Sequence, residues 1–432
     1  MTTRTIQVEV LARIEGEAAL TLELDGAAVV AARLRLFEPP RLFEALLRGR
    51  ACTEVPDITA RICGICPVAY QMSSCHAVED ALGITVGGSL RALRRLLYCG
   101  EWIESHVLHM VMLHAPDFLG VPDAIALARL HPERVRAGLR IKRAGNAIVT
   151  ALGGREIHPV NVKVGGFYRA PRVGELATLL PSLRAALDEA DALIDWFASF
   201  TFPAFERDYE LVSLRHPTEY PMNEGRLVST RGLDIAAAEL GAHIEEYQVP
   251  YSTALHARIR GRGAYLTGPL ARFVHNHERL APRAQAAAAR VGLAPSCRNP
   301  FRILLVRAVE TIHALAEAIR IVEDYVPPPA PSVPVAMRAG TGHAITEAPR
   351  GALYHRYVLD DEGIVREGTI MPPTSQNQHG IEEDLLALGP MLAALPLPEA
   401  TARAEHAIRN HDPCISCSTH FLRLKLEHGR SR

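Results

Sequence analysis

Hydrophobic and polar residues alternate over the first 36 positions of the chain, which is the pattern of β-strands with one buried face. Three segments show it, with the hairpin pair Asp25-Gly26 between the second and the third: TIQVEV, AALTLELDG and AVVAARLRLF. We expect an antiparallel sheet over residues 1–36.

Beyond this sheet, apolar residues recur three or four positions apart, as in helices with one buried face. The spacing predicts helices over 41–50, 67–82, 89–115, 132–151, 173–199, 300–325, 380–394 and 399–410. Alternation returns over 338–372, around the turn LDDEG and after the proline-rich link YVPPPAPSVPVAM. These patterns predict an α+β fold, mainly helical, with a long central helix bundle, the N-terminal sheet and a smaller β region near 338–372.

The absence of internal repeats favours a single domain over residues 1–432. Within it we expect the N-terminal sheet over 1–36 and a helical body over 37–325. A C-terminal part of strands and helices would follow over 326–420, and then a tail over 421–432 that a protease could remove.

Composition narrows the classes of function. The chain has 432 residues, 48% of them hydrophobic, and a net charge of -1. A large core is therefore possible, and no long-range field would attract nucleic acid or an anionic membrane surface. No signal-peptide core and no apolar run of membrane-spanning length occurs. We expect a cytoplasmic protein that binds no nucleic acid and does not insert into a membrane.

Two Cys-x-x-Cys pairs stand near opposite ends of the chain, Cys63 and Cys66 in RICGICP, and Cys414 and Cys417 in DPCISCSTH. Zinc ribbons place their two pairs only about 15–20 residues apart, so a site built from these pairs would join distant segments. A thioredoxin-like disulfide would need a strand-then-helix setting, which neither pair has. Four thiolates suit zinc or an iron-sulfur cluster, and spacing alone leaves both open.

The residues around the pairs indicate how the sulfurs are held. Pro67 suits the first position of a helix that begins at Cys66, so we expect Cys66 to cap that helix and the helix dipole to lower its pKa. Pro413 fixes the backbone immediately before Cys414. Four other cysteines lie outside any motif and are expected to be buried free thiols: Cys52, Cys75, Cys99 and Cys297.

The two cysteine motifs resemble the signatures of the large, catalytic subunit of nickel-iron hydrogenases, R-x-C-G-x-C and D-P-C-x-x-C-x-x-[HR]. Five further segments resemble this family in the same order along the whole chain: RIEGEA, RLFEALLRGR, HPVNVKVGG, APRGAL and PPTSQN. The stretch CGICPVAYQMSS is most similar to the cytoplasmic bidirectional group, which is NAD(P)-linked or sulfur-reducing.

The resemblance implies that all four thiolates bind nickel. Cys66 and Cys417 would also bridge to an iron that carries carbon monoxide and cyanide, and Cys63 and Cys414 would be terminal ligands. Soft thiolates suit such a centre. Glu15 would take a proton from Cys414, although a surface carboxylate is the ordinary fate of a glutamate.

The same resemblance assigns a group of residues above the metals, here called the canopy: Pro349, Arg350 and Asp412. Arg350 could otherwise be a surface cation, and Asp412 could also cap a helix. Thr374 would donate a hydrogen bond to a cyanide.

A second ion site, for Mg²⁺ or another hard divalent cation, is implied at Glu44, His420 and the carbonyl of Ile370. The alternative for Glu44 is the solvated face of a helix.

Two positions depart from the family pattern. Tyr70 stands where the family has histidine, and Ser105 stands where many members have a canopy aspartate. On the same helix, His106 and His109 have a spacing that could bind metal. Without a third ligand we favour packing or hydrogen bonding for both.

The implied function is reversible heterolytic cleavage of H2, with H2 and protons as substrates. The chain has no further cysteine clusters and no GxGxxG segment after a strand, so the iron-sulfur clusters and flavin would reside in partner subunits. The resemblance implies a small iron-sulfur subunit, flavin- and NAD(P)-binding subunits, and a maturation protease. In many members of the family this protease cuts after the histidine that matches His420; the alternative is that residues 421–432 are kept as an outer strand. Two alternatives are an H2-sensing regulatory subunit and a nickel-free quinone-site subunit of a respiratory complex, whose members lack two complete cysteine pairs.

Overall fold

The N-terminal sheet has the predicted three antiparallel strands. The computed structural model describes residues 3–39 and 41–419, and the strands are Thr3–Val8, Ala18–Asp25 and Ala28–Leu36. Leu20 pairs with Val8 on one side and Leu34 on the other. The alternate leucines of the middle strand are buried against the C-terminal helices. The alternation thus reflects one face packed on the core.

Helices form most of the remaining structure, and the α+β class is confirmed. Their bounds are Phe43–Leu47, Val55–Thr59, Pro67–Leu82, Gly88–Val107, Ala115–Leu119, Ala124–Leu130, Pro132–Gly153, Val173–Ala177, Leu180–Ala198, Leu240–His243, Pro269–Asn276, Pro282–Arg290, Ile303–Glu323, Pro373–Ala387, Gly389–Ala393, Leu397–Asn410 and Ile415–Ser418.

Long helices pack closely at the middle of the chain. Gly88–Val107 contacts both Pro132–Gly153 and Ile303–Glu323. Glycines permit the first crossing, since a Cβ on Gly100 would lie 3.0 Å from the carbonyl oxygen of Gly145, and one on Gly145 would lie 2.7 Å from that of Gly100. No larger residue fits there without separating the two helices.

Two of the predicted long helices are interrupted. The helix expected over 89–115 is α-helical to Val107 and then widens into a π-helix over Leu108–His114, a feature often found at functional sites. The one expected over 173–199 ends at Ala177, and a new helix starts at Leu180 with a proline in its first turn. Because proline has no N–H, it suits the start of a helix better than its interior.

The β region near 338–372 is a three-stranded antiparallel sheet of Gly340–Ala348, Gly351–Leu359 and Val365–Met371. The sequence analysis assigned no strands between 160 and 300, where the structure has Val162–Lys163, Gly166–Phe167, Leu211–Arg215, Arg226–Ser229, Asp234–Ile235, Ile244–Gln248, Leu255–Ile259 and Leu266–Thr267. Several of these are only two residues long, too short to show a period.

No single helix among the described residues is both long and apolar enough to cross a bilayer. One pair, Gly88–Leu119 with Ala124–Leu130, reaches that length and composition only together, across a 75° bend.

Candidate metal centre

The first cysteine pair lies in a tight loop between a 3-10 turn and a long helix. Cys66 is the N-cap residue of Pro67–Leu82, with the proline in its first turn, as predicted. The Sγ of Cys63 accepts hydrogen bonds from the backbone N–H of Ile65 at 3.3 Å and of Cys66 at 3.4 Å. The loop therefore wraps its own backbone donors around one sulfur.

The second pair starts a short helix, Ile415–Ser418, for which Cys414 is the N-cap. The backbone of Cys414 is fixed from two sides. Its N–H donates to Oγ1 of Thr374 at 3.0 Å, and it forms an isolated β-bridge with Glu15. The sheet-like pairing joins the N-terminal and C-terminal parts of the chain at this point.

The fold brings the four cysteines together. Their sulfurs lie within 4.8 Å of one another, with 3.4 Å between Cys63 and Cys414, 3.5 Å between Cys66 and Cys417, and 2.9 Å between Cys414 and Cys417. All four side chains are buried and none forms a disulfide. Four soft donors at this separation fit a thiolate-bound transition metal.

The pKa shifts of the four cysteines show which charged forms a bound metal would have to stabilise. Burial raises the pKa of the Cys414 and Cys417 thiols, whereas hydrogen bonds from the other cysteines lower that of Cys63. The prediction that the helix lowers the pKa of Cys66 is wrong for the chain alone: Cys414 lowers it, but Cys417, Cys63 and burial together raise it well above its usual value. Four thiolates this close repel one another, so a bound cation is needed to hold them all ionised.

Glu15 lies directly against the cluster. The Sγ of Cys414 donates to Oε2 of Glu15 at 3.0 Å, and the N–H of Ser416 donates to the same oxygen at 3.0 Å. The side chain is partly buried. It is therefore within proton-transfer distance of a cluster sulfur.

The canopy residues meet as expected from the sequence. Pro349 and Arg350 form the two-residue turn between the strands Gly340–Ala348 and Gly351–Leu359. Arg350 donates through Nε to the carbonyl oxygen of Asp412 at 2.8 Å, and its Nη2 lies 3.2 Å from Oδ1 of that residue. Asp412 adopts a left-handed backbone, φ +51°, that turns its carboxylate toward the arginine. Burial disfavours the charge of Arg350, but Asp412 and the cysteine sulfurs raise its pKa well above the usual range.

A second buried network, missed in the sequence analysis, supports the canopy. Nη1 of Arg307 lies 3.3 Å from Oδ2 of Asp412 and 3.0 Å from Nδ1 of His106. The other ring nitrogen of His106 is 2.9 Å from Glu310. A signal was present in the sequence: Arg307 and Glu310 interrupt the apolar run ILLVRAVETIHAL, and charges there are expected to be paired.

Glu101 is another residue that sequence patterns did not single out. Its carboxylate accepts the backbone N–H groups of Val68 at 2.6 Å and Ala69 at 3.1 Å, at the start of the helix that Cys66 caps. Burial, together with the nearby Glu104, raises the pKa of Glu101 well above its usual value. The group fixes the helix that carries Cys66.

Of the two departures from the family pattern, Tyr70 lies beside the cluster sulfurs. Tyr70 is buried, and burial is the largest cause of its raised pKa. The charges of Cys417 and Cys66 raise the pKa further. Ser105 is buried, and its hydroxyl has no hydrogen-bond partner within the described part of the chain. His109 lies 2.8 Å, through Nε2, from the carbonyl oxygen of Arg409, so hydrogen bonding is confirmed for it as for His106.

The proposed second ion site is only partly within view. Glu44 accepts the backbone N–H of Ile370 at 2.7 Å, so the structure brings these two residues together. His420 and the tail 421–432 lie outside the described residues.

The four cysteines without a motif are buried free thiols, as expected: Cys52, Cys75, Cys99 and Cys297.

A mainly helical α+β chain that brings four buried cysteine sulfurs and a carboxylate into one site has the donor set of a protein that binds a transition metal through cysteine. The comparison with known families gives the particular class. A model described as nickel-dependent hydrogenase matches residues 41–137 and 294–420. The chain belongs to this family, and it is the large, catalytic subunit of a hydrogenase, an oxidoreductase acting on H2.

Individual relatives agree along the full length. Sulfhydrogenase 2 subunit alpha of Pyrococcus furiosus is 33% identical over 424 residues, which covers 97% of this chain and 100% of that one. The beta subunit of the NAD-reducing hydrogenase HoxS of Cupriavidus necator is 25% identical, with 97% and 95% covered. A crystal structure of an NAD+-reducing [NiFe]-hydrogenase in the H2-reduced state superposes with a TM-score of 0.87 at 26% identity, with 96% and 99% covered. These relatives are named as subunits or as parts of larger enzymes, so partner subunits are expected.

Proposed function

We propose that this chain cleaves H2 reversibly at a nickel-iron centre held by Cys63, Cys66, Cys414 and Cys417, and passes the electrons to a partner subunit. The observation that supports this most directly is the cluster itself, four buried sulfurs within 4.8 Å of one another with a carboxylate 3.0 Å from one of them. Zinc alone would use the four thiolates but would leave Glu15 and the canopy without a role.

The donor set fits the two metals. Cys63, Cys66, Cys414 and Cys417 would hold the centre through their sulfurs, with 3.5 Å between those of Cys66 and Cys417. When bound, the centre supplies the electrophile that polarises H2 and the redox capacity for two electrons. Every other step falls to the side chains around it.

The canopy and Thr374 would hold the carbon monoxide and cyanide ligands of the iron. Nη1 of Arg350 has no hydrogen-bond partner among the residues described, and it can donate to a cyanide. The hydroxyl oxygen of Thr374 already accepts from Cys414, so its proton remains to donate. Pro349 would narrow the space beside them, while Asp412 fixes the arginine.

The proton follows a short path in this proposal. The sulfur of Cys414 holds the proton released from H2, and Oε2 of Glu15 accepts it across 3.0 Å. The N–H of Ser416 keeps that oxygen oriented. In the reverse direction the same two groups deliver a proton to make H2.

A hard cation, Mg²⁺ or a similar ion, is proposed at Glu44, His420 and the carbonyl of Ile370. The contact between Glu44 and the N–H of Ile370 supports this, because it brings the carboxylate to the backbone that would supply a ligand.

Electrons would leave to a small iron-sulfur subunit and then, through flavin- and NAD(P)-binding subunits, to NAD(P). The relatives named as NAD-reducing hydrogenases support this acceptor, and the sulfhydrogenase relatives support reduction of sulfur as an added activity. We also propose cytoplasmic location, and removal of residues 421–432 by a maturation protease.

Metal analysis of the complex purified with its partners tests the proposal. We expect nickel and iron near one each per chain, H2-dependent reduction of a dye, and loss of both nickel and activity in Cys417→Ser. Cys297→Ser is the control, because this buried thiol lies outside the cluster. Stoichiometric zinc with no nickel, or H2 oxidation that survives Cys417→Ser, would overturn the proposal.

A further inference from the structure

A small cavity lies beside the canopy, between the strand-turn that carries Arg350 and the helix that carries Arg307. We call it the donor cavity. Its volume is about 10 Å³, which is room for about one water-sized atom. Leucine, isoleucine, proline and alanine side chains form its apolar walls, and its polar walls are Thr267, Arg307, Arg350, Asn377, Asn410 and His411.

The buried side-chain atoms of the cavity lining that lack a hydrogen-bond partner are all N–H donors. Within the described chain, four atoms of its lining residues are buried without a hydrogen-bond partner: Nε and Nη2 of Arg307, Nη1 of Arg350 and Nδ2 of Asn410. Each of them is an N–H donor, and no side-chain acceptor of the lining is among the buried unpaired atoms of the described residues. All three side chains are at least nine-tenths buried. A buried donor without a partner is costly, so the arrangement calls for an acceptor.

A neighbouring arginine shows that unpaired nitrogens are not general among the buried guanidinium groups of this protein. Arg272 is equally buried, and its nitrogens donate to two carboxylates and two backbone carbonyls, of Glu310, Glu347, Ala348 and Pro349. Among the described residues, the guanidinium of Arg307 has polar partners at Nη1 alone. Its other two nitrogens are therefore positioned for something other than the protein.

The surroundings hold Arg307 in this pose as a cation. His106 and Asp412 fix its Nη1 from two sides. Burial lowers the pKa of Arg307 to about 10 although Asp412 opposes the shift, which leaves it charged at neutral pH. Two guanidinium groups then share one cavity with the single carboxylate of Asp412 in contact with both.

We propose that the donor cavity is a binding site for one small inorganic monoanion, the size of chloride. Arg307 supplies two hydrogen bonds, Asn410 a third and Arg350 a fourth. Of these donors only Nη1 of Arg350 is shared with the iron ligands proposed above, so three belong to the cavity itself. The small cavity and its apolar walls exclude polyatomic or multiply hydrated ions, so a single bare halide, chloride or bromide, is the ion expected to enter. The proposal rests on the proposed function only for its significance, since an anion here would sit beside the metal centre and adjust its charge.

Bromide is the probe. Crystals of the purified holoenzyme complex, grown in sodium bromide and measured at the bromine absorption edge, should show one anomalous peak between Arg307 and Asn410. The peak should vanish in Arg307→Met, which keeps the length of the side chain but none of its donors. It should also vanish in Asn410→Asp, which keeps the shape but replaces the donor by a negative charge. Arg302→Met, in the 3-10 turn just before the helix of Arg307 and outside the cavity lining, should keep it.

A solution measurement covers a variant that fails to crystallise. Bromide should raise the thermal stability of the wild type and of Arg302→Met, with an affinity lowered about tenfold or more in the two cavity variants. A water molecule in the cavity without anomalous signal, or equal bromide effects in all four proteins, would refute the anion site. Nickel content and H2 oxidation, measured on the same samples, report separately on the proposed function.

Discussion

Replacement of Glu15 by glutamine tests the proton path most directly. The amide oxygen can still accept the N–H of Ser416, so the loop keeps the hydrogen bond that now measures 3.0 Å. The new side chain cannot accept a proton from Cys414. We therefore expect a folded protein with full nickel content, and a free energy of unfolding within about 1 kcal/mol of the wild type.

The expected loss of activity follows from the role of a general base. Removing a positioned base typically lowers a rate by about 10²- to 10⁴-fold, which corresponds to roughly 3–5 kcal/mol of activation free energy. The structure favours the upper part of this range, because Glu15 is the one carboxylate found in contact with a cluster sulfur among the residues described.

Two assays separate the proton step from electron transfer. H2-dependent dye reduction requires both, whereas exchange of D2 with water requires the proton to leave but no external acceptor. Both should fall together in Glu15→Gln. Glu17→Gln is the matched control, since this exposed glutamate lies two residues away and its side chain is outside the site. A Glu15→Gln enzyme with full nickel and an exchange rate within about threefold of the wild type would refute the path.

Three further predictions concern stability. Gly268→Ala should cost about 1–3 kcal/mol in denaturant unfolding, because φ is +124° and a Cβ would lie 2.7 Å from the carbonyl oxygen of Arg350; Gly174→Ala, with open space, should cost far less, and equal costs would contradict this account. The pKa of Asp117 is lowered to about 2, since two arginines outweigh its burial. It should contribute about 2 kcal/mol of stability that is present above pH ~4 and lost as the pH falls toward 2, and Asp117→Asn should flatten this limb of the stability curve. Burial raises the pKa of Glu104 to about 7, so the native state binds the extra proton and stability should fall as the pH rises from about 4.5 to 7; an unchanged slope in Glu104→Gln would show that another group is responsible.

Much of the fold could be predicted because its longer elements have a clear period. The strand alternation over residues 5–36 and the helical spacing over 132–151 and 300–325 correspond to elements found in the structure. The short strands between 160 and 300 could not be predicted, because a run of two to five residues is too short to establish an alternation or a helical stripe. The π-helix at Leu108–His114 depends on an added residue per turn, which composition does not reveal.

The residues of the metal centre could likewise be predicted only in part from the sequence. The two Cys-x-x-Cys pairs were enough to single out the four cysteines, and the resemblance to the hydrogenase family singled out Glu15, Arg350 and Asp412. Neither revealed Arg307 or Asn410. Their importance comes from what surrounds them and from the donors left unpaired, and both are properties of packing.

By itself, then, the sequence determined the ligand chemistry: two pairs of soft donors, a helix start at Cys66, and proline at the turn before Cys414. The tertiary structure decided that the two pairs meet. The bridge between Glu15 and Cys414 brings the chain's N-terminal and C-terminal parts together. Two pairs of sulfurs that are hundreds of positions apart along the chain converge in one cluster. It also reversed one expectation, the pKa of Cys66. Cys414 lowers the pKa of Cys66, but Cys417, Cys63 and burial together raise it, and no contribution from the helix terminus outweighs them in the chain without metal.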